Sequence, residues 1–221
     1  AFLGSGTISF NSDIVFEGAI TNLSSKYVGI QARVQRKKAH FTAPVLLPRS
    51  AISLSNHISY GEIHFDDLVV AASISGDGGN HGGAAGLTYV HKAGSTFGTV
   101  NPRENGIHCQ ATDVFGETCR VQWQYYSGGS EDNKGIHLHG NDQVIDCPYS
   151  IDTEYGYSRY FVSDSPATLT MKATDSKWSN CGFNGKLSVT FAPADSATSY
   201  EARNSASTMT GTLTVSNGTF K

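Results

Sequence analysis

Apolar residues in this chain recur at every second position, and this constrains its fold more than any other sequence feature. Ile14, Phe16, Gly18 and Ile20 share one parity, with Asp13 and Glu17 on the other. Val28, Ile30, Ala32 and Val34 alternate with Tyr27, Gly29, Gln31 and Arg33. The same rhythm runs through Val121, Trp123 and Tyr125, through Ala167, Leu169, Met171 and Ala173, and through Leu187, Val189 and Phe191. Successive side chains of a strand point to opposite faces, so this spacing describes strands with one face in a core and one in water. Helical spacing is nearly absent; only 194–203 could form a short helix, capped by Asp195 or Ser196.

Composition agrees. Glycine contributes 24 of 221 residues and charged residues only 16 %, which favours turns and strands over a bundle or coiled coil. Further apolar pieces at 7–10, 63–74, 87–90, 107–111, 144–147 and 159–162 bring the count to roughly ten to twelve strands. Alternation with one solvated face is usual in antiparallel sheets. The expected fold is all-β, an antiparallel β-sandwich, immunoglobulin-like or jelly-roll-like, with long loops. Glycine-rich 76–83 and polar 127–135 are the clearest loops, and Pro44 and Pro48 mark an edge or connector. No internal repeat or linker divides the chain, so a single domain is expected over 1–221.

The net charge is −3 and the pI about 6.2, which argues against a general nucleic-acid binder. No stretch approaches the ~18 apolar residues of a membrane span. The chain begins at Ala1, as removal of a signal peptide would leave it. Cys109, Cys119, Cys147 and Cys181 lack Cys-x-x-Cys or zinc-finger spacing, and an even, wide set reads as two disulfides in a secreted protein. The expected pairs are Cys109 with Cys119 and Cys147 with Cys181.

Gly-Thr-Ile-Ser-Phe at 6–10, followed by Gly18-Ala-Ile20, resembles the opening strands of bacterial fimbrial subunits assembled by chaperone and usher, and 185–193 resembles a closing strand of that type. The resemblance implies an incomplete immunoglobulin-like sandwich completed by a neighbour's strand. Shaft subunits carry an early cysteine, whereas the first here is Cys109. That departure points to a tip adhesin domain on the cell surface, binding a glycan or host receptor protein, with other pilus subunits as further partners.

Five groups of residues carry candidate chemistry. His137 and His139, at i and i+2 on a strand, would face one side and could share a zinc ion, with Asp142, His108 or His81 as third ligand; the alternative is two solvent-facing histidines and no cofactor. Trp123 and Tyr125 share the parity of Val121 and read as core, which leaves Tyr126, Glu131, Asp132, Asn133 and Lys134 as a sugar-binding loop. Tyr155, Tyr157 and Arg159, beside Glu154, form a second aromatic and polar patch. Asp77, Asn80 and His81 lie among glycines, without the lysine of a phosphate loop. Arg33, Arg36, Lys37 and Lys38 with His40 could dock an acidic glycan or simply protect a strand edge. No Gly-x-Ser-x-Gly or His-Glu-x-x-His appears. The expected function is non-catalytic, lectin-like adhesion; the alternatives are a structural subunit assembled by strand exchange and a polysaccharide hydrolase with dispersed carboxylates.

Overall fold

Successive coils of the chain lay strands on two large sheets, a third sheet pairs Ser199–Tyr200 with Thr219–Phe220, and every strand pairing among the described residues is parallel. The computed structural model describes residues 6–10, 12–22, 28–32, 38–54, 62–75, 87–101, 106–116, 120–123, 135–145, 149–151, 159–172, 176–177, 181–200 and 207–221. One sheet runs in order through Gly6–Phe10, Val28–Ala32, Val45–Leu54, Val69–Ser75, Thr96–Asn101, Arg120–Trp123, Tyr149–Ile151 and Ser176–Lys177. The other runs through Ile14–Phe16, Lys38–Phe41, Glu62–Phe65, Leu87–Val90, Ile107–Cys109, Gly135–His137, Arg159–Met171, Cys181–Phe191 and Thr208–Met209. This is a β-solenoid.

The antiparallel sandwich expected from the alternation is therefore incorrect. Period two reports that one face is buried and says nothing of strand direction. Parallel sheets usually need helices to cover both faces; here the two sheets cover each other's inner face, and no helix occurs among the described residues. The short helix expected at 194–203 is also absent from the described part. Asp195 Oδ1 accepts a hydrogen bond from the Ala197 amide at 2.8 Å in a turn, and Ser199–Tyr200 is a strand. The incomplete sandwich implied by the fimbrial resemblance is likewise not the architecture observed.

Inward residues stack in columns from coil to coil. Ala39, Ile63, Thr88, Ile107, Ile136, Phe161 and Phe183 occupy one column. A second begins Phe16, Phe41, Phe65, with ring centroids 4.8 and 5.2 Å apart. Burial of these columns is the main stabilising term. Thr88 is the polar member: it is 1 % exposed and its hydroxyl has no hydrogen-bond partner. A hydroxyl buried in that state costs about 1–3 kcal/mol. Thr88→Val keeps the shape and removes the cost, so it is expected to raise the melting temperature by about 2–4 °C for each kcal/mol recovered. A lower melting temperature would show that the hydroxyl is bonded.

Cys109 lies in the core, fully buried and free, and burial pushes its thiol pKa far up. The expected Cys109–Cys119 disulfide is thus corrected: parity turns Cys109 inward, next to Val90 in register. The side chains of Cys119, Cys147 and Cys181 lie outside the described residues.

Candidate functional site

The residue following each member of the first inward column points outward. His40, His64, Tyr89, His108 and His137 are register partners in succession. They form a column of rings on one flank. The sequence places them in near-identical settings: Ala39-His40-Phe41, Ile63-His64-Phe65, Ile107-His108-Cys109 and Ile136-His137-Leu138. The apolar neighbours anchor each strand in the core and present the ring between them to the outside. His64 stacks on Tyr89 at 4.4 Å, Tyr89 meets His108 at 4.6 Å with the rings tilted by 32°, and His108 stacks on His137 at 4.4 Å with the rings 3° from parallel.

Charged groups flank one end of the column. Lys38 Nζ lies 2.8 Å from Glu62 Oε2, which also sits 2.8 Å from His64 Nε2. His64 Nδ1 is 3.2 Å from His91 Nε2. Asp66 Oδ2 lies 2.7 Å from His40 Nε2, and its Oδ1 lies 3.9 Å from His91. Burial alone would raise the Glu62 carboxyl, but the hydrogen bonds and charges of Lys38 and His64 outweigh it and hold it below the ordinary carboxylate range. The Glu62 contact raises Lys38 in turn. Burial raises the Tyr89 phenol, with Glu62 adding to the shift and Lys38 opposing it. His91 is lowered by burial, against the pull of Asp66.

A different arrangement closes the other end. His139 follows the strand Gly135–His137 with φ at 52°, a left-handed turn that brings its ring back to the flank. The Asn141 amide locks this turn by donating to the carbonyls of Cys109 at 3.0 Å and Leu138 at 3.1 Å. His139 Nε2 meets His108 Nδ1 at 2.7 Å, and its Nδ1 meets Asp164 Oδ2 at 3.1 Å. One ring nitrogen from each of His108, His137 and His139 lies within 4.8 Å of the other two. Gly106 makes room: a Cβ there would stand 2.9 Å from His137 Cδ2 and 2.9 Å from the Gly135 carbonyl oxygen. Burial depresses His108 to about 2, reinforced by His137, His139 and His64. The His139 hydrogen bond holds Asp164 below its usual range.

Of the residues expected from sequence, His137, His139 and the optional third ligand His108 come together. The reason differs in part: His139 reaches the group through a turn, not along a strand. Asp142 does not join; its Oδ1 accepts from the Thr168 amide at 2.6 Å. Lys38 and His40 sit on the flank, but paired with Glu62 and Asp66. Tyr126, Glu131, Asp132, Asn133, Lys134, Tyr155 and Tyr157 lie outside the described residues, as do Asp77, Asn80, His81, Arg33, Arg36 and Lys37 and the side chain of Arg159. Sequence reasoning missed Glu62, His64, Asp66, Tyr89 and His91. The recurring apolar-His-apolar triplet was the signal that could have found the column.

No helix among the described residues is long and apolar enough to cross a membrane. Comparison with protein-family models, curated proteins and solved structures found no match.

Proposed function

We propose that this chain is a non-catalytic, surface-displayed glycan-binding protein, and that an extended saccharide lies along the flank from Lys38 to Asp164. The observation that carries this reading is the unbroken outward column of His40, His64, Tyr89, His108 and His137 on five consecutive strands. Neighbouring strands lie about 4.8 Å apart, so the column is a straight, regularly spaced row of ring edges. Neutral imidazole donates at one nitrogen and accepts at the other, and a sugar hydroxyl needs both. Glu62 and Asp66 add acceptors. Their side chains, 25 % and 35 % exposed, can exchange water for ligand hydroxyls. With the imidazoles neutral the flank sets Lys38 against the carboxylates of Glu62, Asp66 and Asp164, which suits a neutral glycan better than a polyanion.

Tyr89 sits at the centre and tests the reading cleanly. Tyr89→Phe keeps the stack on His64 and His108 and removes only the hydroxyl. Loss of one ligand hydrogen bond costs about 1–3 kcal/mol, so affinity on a glycan array or in affinity electrophoresis is expected to fall roughly five- to 150-fold with an unchanged melt. No retention by the wild-type chain would refute glycan binding, and full retention by a Tyr89→Phe, Glu62→Gln double variant would place it elsewhere. New reducing ends after incubation with a retained glycan would show cleavage and refute the non-catalytic part of the reading.

A further inference from the structure

We infer that His108, His137 and His139 form a binding site for one late first-row divalent metal ion, of which zinc is the representative, with Asp164 orienting His139. This site goes beyond glycan binding and does not depend on it.

The donor set defines the metal class. Three imidazoles suit zinc, cobalt, nickel or copper, whereas calcium and magnesium require oxygen ligands. Among the described residues the nearby thiol, Cys109, follows His108 directly but points into the core, so the set is nitrogen alone. Three protein ligands leave a fourth position open for water.

The second shell is already present. Asp164 accepts the Nδ1–H of His139 at 3.1 Å, which fixes the tautomer and leaves the Nε2 lone pair directed at His108. A carboxylate behind a ligating histidine is the usual means of orienting it. In the metal-free protein His108 Nδ1 must then donate to His139 Nε2 across 2.7 Å.

His108 is 8 % exposed, and the nitrogen it turns toward His139 is Nδ1, so Nδ1 is its ligating atom and metal binding there moves the ring proton to Nε2. The three nitrogens lie within 4.8 Å. Zinc–nitrogen bonds of about 2.0–2.1 Å in a tetrahedral site put ligand nitrogens about 3.3 Å apart. The 2.7 Å pair must open by roughly half an ångström and the widest pair must close by at most about 1.5 Å. Rotation of the rings can supply both movements: His139 is 28 % exposed on its side chain, and Gly106 leaves the space beside His137.

The test is a titration of the full chain, stripped with chelator and dialysed, with cobalt(II) followed by visible absorption and with zinc(II) followed by calorimetry. The expected result is one equivalent bound, with the intense visible bands of four-coordinate cobalt. His137→Gln and His139→Gln are each expected to abolish stoichiometric uptake. Asp164→Asn is expected to lower affinity about 10- to 100-fold, while His40→Gln, on the same flank, keeps the full equivalent. Absence of cobalt bands and of zinc uptake in the wild-type chain would overturn the inference. So would unchanged binding in both His137→Gln and His139→Gln. Because the wild-type titration alone can refute the site, a variant that fails to fold does not protect it. Glycan retention measured in chelator separates this result from the proposed function.

Discussion

Phe65→Ala is expected to cost about 3–5 kcal/mol, the usual range for an aromatic truncated in a core. Phe65 is fully buried and stacks on Phe41 at 5.2 Å. It is also the register partner of Val90. Removing it opens a void between three consecutive coils, and the strand backbones that could close the void are held by parallel ladders on both sides. In a solenoid each coil touches only its neighbours, so stability is approximately a sum of local terms. The loss should therefore be uneven. Amide exchange in Lys38–Phe41, Glu62–Phe65 and Leu87–Val90 is expected to accelerate strongly, while Cys181–Phe191 keeps its protection. Uniform acceleration along the chain would show that the coils unfold as a single unit.

How far the sequence reveals this architecture can be judged from the same columns. Alternation through Ala167, Leu169 and Met171 and through Leu187, Val189 and Phe191 correctly marks strands, and these residues are buried as their parity requires. Strand direction was not legible, because a side chain's parity is the same whether its neighbour runs with it or against it. The repeat was hidden by its length. In the first inward column the step is 19 residues from Thr88 to Ile107 but 29 from Ile107 to Ile136, since the loops between strands vary freely while the strands do not. Conservation of shape without conservation of spacing defeats a search for a fixed period.

The site was legible where chemistry is local and hidden where it is made by coiling. His137 and His139 stand two residues apart, and their proximity follows from almost any turn or strand. His64 and Tyr89 are 25 residues apart and meet only because both strands share one register. Glu62 and His64 likewise read as an ordinary alternating strand until the next coil places His91 beside them. The polar stretch at 127–135 stands out by composition alone, whereas the flank is assembled from residues that look ordinary one strand at a time.

Acidification is expected to destabilise the metal-free protein well before its carboxylates titrate. His108 is held near 2 in the fold, against about 6.5 in an unfolded chain. Below pH 6.5 the unfolded chain takes up a proton that folded His108 refuses. Stability is then fully present above the unfolded value and falls as pH drops toward the folded one. Each pH unit in that window removes about 1.4 kcal/mol, so lowering the pH from 6.5 to 4.5 should cost about 2–3 kcal/mol from this residue. His91, also lowered, adds a loss of the same sign. Glu62 and Asp164 are also lowered, below the ordinary carboxylate range; their contribution is lost only as pH falls further, through the carboxylate range, which leaves the interval from 6.5 to 4.5 to the histidines. The repulsion behind the His108 shift comes from His137, His139 and His64, after the larger effect of burial. Urea titration in chelator at pH 7.5 and pH 4.5 measures the loss directly. In His108→Gln, which stays neutral throughout, most of the difference should vanish. Equal stability of the wild-type chain at the two pH values would mean that His108 accepts a proton while folded, at the nitrogen the fold leaves without a partner.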